Sequence, residues 1–86
     1  MIDLEEAINA NPEMICIGNS LDEYRDSIVG VSDDNNHLIY DYDLLVACFM
    51  REGMSREEAE EHTAYNVVRS LPYQGELAPI IMHALL

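Results

Sequence analysis

The sequence predicts a small α+β domain in which a β-hairpin and a C-terminal strand form a three-stranded sheet packed on two to three helices. Three observations predict this fold class. First, capping residues precede several segments in which apolar residues repeat at helical spacing. Second, an Asp- and Asn-rich turn separates two segments rich in β-branched and aromatic residues. Third, the sequence ends in an apolar segment. Strands and helices come in blocks and do not alternate strictly, which favours α+β. The 86 residues are expected to form a single domain, 1–86, and a hydrophobic content of 49% excludes a disordered chain.

The first helix is predicted over 3–10. Asp3 has the form of an N-cap, with the acid Glu6 at the third helical position. Apolar residues then repeat at helical spacing until Asn11 and Pro12 interrupt them, which predicts a short helix that ends there.

The hairpin is predicted over 27–40. Just before it, Ser20 and Glu23 repeat the capping pattern, which predicts a further turn or two of helix. The two strands of the hairpin are expected at 27–32 and 37–40, because both segments are rich in β-branched and aromatic residues. Four consecutive Asp and Asn residues between them favour a turn and tolerate left-handed backbone.

Two helices are predicted after the hairpin. Asp43 is the expected N-cap of a helix over 43–52, and Gly53 fits the left-handed residue just past its end. Ser55, with an acid three residues later, opens a second helix over 55–70. The second helix has one apolar stripe with two further apolar residues beside it. The stripe consists of Ala59, Thr63, Val67 and Leu71, and the residues beside it are Ala64 and Val68.

The chain is predicted to end in a strand over 79–84. Leu71 precedes Pro72, and the residue before a proline avoids the α region, so the long helix is expected to end there. A loop rich in Pro and Gly then leads to the last apolar segment. We expect this strand to pair with the hairpin in an antiparallel or mixed sheet.

Five short motifs stand out in the later part of the chain. They are Tyr40-Asp41-Tyr42-Asp43, Gly53-Met54-Ser55 with Glu57-Glu58-Ala59-Glu60-Glu61, Tyr65-Asn66-Val67-Val68, Leu71-Pro72-Tyr73 and Ala78-Pro79-Ile80-Ile81. In these motifs the chain resembles a family of small bacteriophage and prophage proteins of no assigned activity. The resemblance covers about the C-terminal two-thirds of the chain, and the first 26 residues lie outside it. It implies the fold and a phage-type accessory protein, and it implies no chemistry.

No catalytic or metal motif is complete. A calcium loop that starts at Asp33 fails, because Leu38 and Leu44 occupy the positions that require Gly and Glu. The three histidines lack ligand spacing, and neither Cys16 nor Cys48 adjoins a His or a basic residue that would activate it. We interpret both cysteines as buried free thiols. We therefore expect no enzyme, no metal and no cofactor.

The run from Tyr40 to Asp43 has two interpretations. In the structural one, Tyr40 faces the core, Asp43 caps the helix, and Asp41 or Tyr42 lies in the connection. In the functional one, an exposed Tyr42 beside two carboxylates anchors an Arg-rich partner, since aromatic residues are frequent hot spots. Asn66 has a similar pair of interpretations, in which its amide either ties down backbone or faces a partner.

The charge is strongly one-sided. Asp and Glu number 17 against four Arg and no Lys, so the formal net charge is -13. Acids in first helical turns complement the helix dipole. The others have no matching bases in the sequence, namely Asp22, Glu23, Asp26, Asp33, Asp34, Glu60 and Glu61. The predicted partner-binding set is Asp22, Glu23, Asp26, Asp33, Asp34, Tyr42, Glu57, Glu60 and Glu61.

Two functional hypotheses follow from this charge. The first is a phage-type inhibitor that mimics nucleic acid and blocks a basic host protein, such as an anti-CRISPR or anti-restriction protein. The second is a structural or accessory phage protein that self-associates through its C-terminal strand and apolar tail 80–86, with an acidity that only ensures solubility. Both place it in the cytoplasm of an infected or lysogenic bacterium, without direct nucleic-acid binding and without a membrane span.

Overall fold

The computed structural model describes residues 1–86. It contains three α-helices and three strands in an α+β arrangement, joined by stretches of 3-10 and π-helix. The elements in chain order are α1 (Leu4–Ala10), a 3-10 turn (Arg25–Ser27), β1 (Ile28–Val31), β2 (Leu38–Asp41), α2 (Tyr42–Arg51), α3 (Arg56–His62), a π-helical segment (Thr63–Val67), a 3-10 helix (Val68–Tyr73) and β3 (Ile80–Met82).

The sheet is mixed, and β2 is its central strand. Its strand order is β1-β2-β3, with β1 antiparallel and β3 parallel to β2. The predicted hairpin and the pairing of the C-terminal strand with it are confirmed, although β3 is only three residues long. Leu38 and Tyr40 of β2 are fully buried. The register between β1 and β2 shifts between Ile28 and Gly30, which marks a β-bulge on the edge strand.

The N-cap of α2 is Asp41, and the expectation that Asp43 caps a helix over 43–52 is wrong. The Asp41 carboxylate accepts a hydrogen bond from the Leu44 N–H at 2.9 Å. The physical reason is that β2 continues through Asp41, which pairs with Met82 of β3, so the chain turns into the helix at Tyr42. Gly53 follows α2 with a φ of 111°, as its predicted left-handed position requires.

The predicted helix over 55–70 is correctly located at its start but changes type along its length. Ser55 and Glu58 form the predicted capping box: the Glu58 N–H donates to the Ser55 hydroxyl at 3.2 Å, and the Ser55 N–H donates to the Glu58 carboxylate at 3.0 Å. The α-helix ends at His62, and the chain continues as π-helix and then as 3-10 helix. At the junction the buried Thr63 hydroxyl donates to the Ala59 carbonyl at 2.8 Å, a bond that often bends helices. Pro72 lies inside the 3-10 helix, so it does not end the helical segment as expected.

The segment between α1 and the 3-10 turn has no regular secondary structure. The capping box predicted from Ser20 and Glu23 does not form, because the Glu23 carboxylate accepts instead from the Asn19 N–H at 2.9 Å. Gly18 has a φ of 85°, and a Cβ at this position would lie 2.8 Å from the Tyr24 ring. The backbone here therefore requires glycine for both its conformation and its space.

The hydrophobic core gathers residues from every part of the chain. Its cluster of 12 buried hydrophobic residues includes Ala7 of α1, Leu45 and Phe49 of α2, and Ala59 of α3. Tyr24 packs on Phe49 with ring centroids 5.1 Å apart. Packing therefore helps to hold the segment before β1, which forms no helix or strand of its own between α1 and the 3-10 turn.

The two cysteines are free thiols. Cys48 is buried, as expected, whereas Cys16 is only partly buried. The expectation that no basic residue adjoins either cysteine is wrong for Cys48, because the guanidinium of Arg51, one helical turn later, lies 3.2 Å from its sulfur. None of the helices combines the length and the apolar character that crossing a bilayer requires.

The two candidate caps of α2 differ in their expected effect on stability. Asp41→Ala removes a partly buried cap, and we expect it to lower the free energy of unfolding by about 1 kcal/mol. Asp43→Ala removes an exposed carboxylate 4.0 Å from Arg56, and we expect it to lower the free energy of unfolding by less than about 0.5 kcal/mol. Urea denaturation measures both. An equal or larger loss for Asp43→Ala would contradict the assignment of the cap.

Candidate functional site

Acidic side chains gather around α1, where three parts of the chain meet. The hairpin turn is fixed to the end of this helix by side-chain amides. Asn35 donates to the Ala7 carbonyl at 3.0 Å, and Asn11 donates to the Asn35 carbonyl and to the Asn36 side chain at 3.0 Å each. We call the acidic region that results the α1 surface. Contacts place Glu5, Glu6, Asp22 and Asp33 on it, and Asp34 follows Asp33 in the turn that Asn35 holds on α1. We include Glu23 and Asp26 because they follow Asp22 closely in the chain, although Asp26 pairs with Arg51 of α2.

The α1 surface occupies two sides of the helix. On one side, Glu5 and Asp22 both face Arg25, at 3.9 and 3.4 Å, and line one groove with it. On another side, Glu6 and Asp33 line a second groove. Glu5 and Glu6 are adjacent in sequence and point about 100° apart around the helix, so α1 presents one acid towards the segment before β1 and one towards the hairpin turn. The predicted partner-binding set contains neither of these acids, because acids in a first helical turn complement the helix dipole.

The ion pairs on this surface are weak. Arg25 pairs with Asp22, and Arg51 reaches Asp26 at 3.5 Å, in each case between exposed side chains. Exposed pairs of this kind contribute about 0 to 1 kcal/mol to the stability of the fold and leave the carboxylates accessible to solvent and to a partner. The expectation that Asp22, Asp26 and Glu60 have no matching base is wrong. Two of the pairs follow i,i+3 and i,i+4 spacing, Asp22 with Arg25 and Arg56 with Glu60, and that spacing was readable in the sequence.

Two acids of the α1 surface are fixed in orientation. Asp34 accepts from the Ser32 hydroxyl at 2.6 Å and from the Asn36 N–H at 3.2 Å. Both bonds lower the pKa of Asp34, the bond from Ser32 most strongly, and keep its carboxyl group ionised. Glu23 is held by the Asn19 N–H. Hydrogen bonds to backbone therefore give part of this charge a defined position.

A second acidic group lies on α3 and the first turn of α2, and we call it the α3 surface. Its acids are Asp43, Glu57, Glu58, Glu60 and Glu61. The Ser55 N–H and hydroxyl lower the pKa of Glu58, whereas Glu57 and Glu61 make no hydrogen bond or ion pair. Glu58 and Glu61 line an open groove of about 460 Å³ that Met54 and Tyr65 also border.

The structure divides the predicted partner-binding acids between these two surfaces. Asp22, Glu23, Asp26, Asp33 and Asp34 belong to the α1 surface, and Glu57, Glu60 and Glu61 belong to the α3 surface. No ion pair or hydrogen bond connects the two groups. Both groups have elements that pack on α2, namely the 3-10 turn that contains Asp26 and helix α3, but only the α1 surface includes the hairpin turn.

Tyr42 is not a free anchor. It is half-buried, and its ring lies 4.5 Å from that of His83 beyond β3. Tyr40 faces the core, as the structural interpretation required, and Asp41 is the cap. Asn66 ties down no backbone, because its amide nitrogen lies 3.1 Å from the Nδ1 atom of His62.

The histidines occupy three separate environments. His37 Nδ1 lies 2.8 Å from the Ala78 carbonyl, His62 meets the Phe49 ring edge-on at 4.5 Å, and His83 stacks on Tyr42. No group of three or more His, Cys, Asp and Glu side chains has an arrangement that would hold a metal ion.

Comparison of this chain with protein-family models, with curated proteins and with solved structures gave no match. The charge and shape of the two acidic surfaces are therefore the features that indicate a function.

Proposed function

We propose that the protein is a small acidic phage-type accessory protein that binds a basic, nucleic-acid-binding surface of a host protein and blocks it. The α1 surface would be the binding face. In this proposal the protein acts in the cytoplasm of an infected or lysogenic bacterium. Anti-CRISPR and anti-restriction inhibitors are the functional class that fits it.

The observation that carries the proposal is the ordered acidic arrangement around α1. Its carboxylates lie on a helix, a hairpin turn and a segment fixed by the core, and Arg25 and Arg51 are the cations paired with them. The carboxylates of Asp34 and Glu23 are held in place by hydrogen bonds, so they present negative charge at fixed positions, as a phosphate backbone does. Such a surface is able to occupy a groove that binds nucleic acid. A net charge of -13 would also steer a basic partner towards it.

Affinity capture tests the proposal. We expect the tagged protein to retrieve a nucleic-acid-binding protein from a bacterial lysate at low salt, and to displace DNA or RNA from that protein in a competition assay. Because the contacts are charge-based, the affinity should fall steeply as salt rises.

A pair of variants with equal charge change locates the binding face. Glu6→Gln with Asp33→Asn neutralises two acids of the α1 surface, and we expect it to weaken binding by about tenfold or more. Glu57→Gln with Glu61→Gln neutralises two unpaired acids of the α3 surface and is the matched control. We expect this control to weaken binding by less than about threefold. Equal losses, or retrieval of no basic protein, would contradict the proposal.

Self-association is a second candidate function, favoured by the C-terminal residues. β3 is an edge strand, Ile80 is 42% exposed, and Leu85 and Leu86 are almost fully exposed beyond it. An apolar tail beside a free strand edge is a frequent interface between copies. The charge of -13 on each copy opposes this association, most strongly at low salt.

Sedimentation at high concentration and moderate salt tests the second candidate. If it holds, a dimer forms, and Leu85→Glu dissociates it without loss of stability, because this side chain is exposed. Ile81→Glu is unsuitable, since Ile81 packs on the core and its replacement would unfold the protein. A wild-type monomer under these conditions would rule this candidate out.

A further inference from the structure

A narrow apolar groove separates α1 from the free edge of the sheet. It has a volume of about 160 Å³, and most of its lining is hydrophobic. Leu4 and Ala7 form the helical wall, and all four residues of β1 form the other wall. Because β1 is an edge strand, its outer side has no strand partner. The groove therefore lies where a further segment of chain has access to both apolar side chains and strand backbone.

This apolar groove continues into an acidic one. The second groove has a volume of about 450 Å³ and shares Ile2, Ala7 and Val31 with the first. Its far wall is formed by Glu6 of α1 and by Asp33 of the hairpin turn. Neither carboxylate makes an ion pair or a hydrogen bond within the protein. One continuous channel, the α1–β1 groove, thus runs from an apolar end to an end with two unpaired acids.

We infer that the α1–β1 groove binds a short extended segment of the basic partner. An apolar side chain of that segment occupies the end lined by Leu4 and β1, and an Arg or Lys side chain lies between Glu6 and Asp33. This inference rests on the proposed function and names the part of the partner that is recognised. Apolar burial adds sequence selectivity to an attraction that charge alone leaves unselective.

Charge selects this occupant over a second copy of the chain. Another copy would bring a net charge of -13 to a groove that already holds unpaired carboxylates. The length of the segment is limited by the β-bulge between Ile28 and Gly30, since a bulge disrupts regular pairing along an edge. The segment is therefore held by its side chains over a few residues and does not extend the sheet as a long strand.

Gly30 offers a way to fill the groove without disturbing the fold. It lines the apolar end, and a Cβ at this position would meet no atom within 4 Å. Its φ is not positive, so a β-branched residue is compatible with the backbone and favoured in a strand. Gly30→Ile is expected to fold with an unchanged or higher urea midpoint and to obstruct the groove.

Fluorescence anisotropy with two labelled peptides tests the inference. One peptide of about eight residues alternates Val with Arg, and the other alternates Ser with Arg and has the same charge. We expect the Val-containing peptide to bind about tenfold more tightly, and Gly30→Ile to abolish this difference. The control variant Ala64→Ile adds the same side chain at an exposed position outside the groove and should preserve the difference. Equal binding of the two peptides to the wild-type protein, or an unchanged difference in Gly30→Ile, would overturn the inference.

The outcomes separate this inference from the proposed function. If the peptides are discriminated as expected but the captured protein keeps its nucleic acid, the groove is a binding site and the proposed inhibition is wrong. If Gly30→Ile displaces nucleic acid from the captured protein as well as the wild-type protein does, the proposed function stands and the groove is not used.

Discussion

The structure depends on one buried hydrogen bond, from the Ile17 backbone N–H to the Tyr40 hydroxyl at 3.0 Å. Tyr40 is fully buried on the central strand, and this burial raises the pKa of its hydroxyl. Ile17 belongs to the long segment that has no helix or strand of its own. A buried N–H without a partner costs about 1 to 3 kcal/mol, so this contact fixes where that segment lies, together with the packing of Tyr24 on Phe49.

The position of this segment determines the shape of the acidic surface. Gly18 allows the chain to turn against the Tyr24 ring directly after Ile17, and the acids that follow are thereby placed beside α1. From the other side, Asn35 holds the hairpin turn on the same helix. Carboxylates that are distant in sequence therefore share one surface because of contacts inside the fold. A high net charge opposes compaction, and the protein tolerates it by keeping nearly all of its acids at the exposed rim.

The parts of the fold that depend on local signals were predictable. The capping box at Ser55 and the Asp- and Asn-rich turn involve residues within a few positions of each other. The N-cap of α2 was not predictable from local signals. The choice between Asp41 and Asp43 depends on pairing with β3, about forty residues away. The change of helix type at Thr63 likewise reflects a bond in the packed interior. The convergence of acids around α1 depends on long-range contacts, and no spacing in the sequence reports it.

The variant Tyr40→Phe tests whether the Tyr40–Ile17 contact positions the acidic segment. The variant keeps the ring in the core and removes only the hydroxyl acceptor. Amide hydrogen exchange should show the Ile17 N–H exchanging at least about tenfold faster than in the wild-type protein, a larger change than that of the amides paired within the sheet. If the exchange rate of the Ile17 amide rises no more than that of the amides paired within the sheet, the Tyr40 hydroxyl does not hold this segment in place.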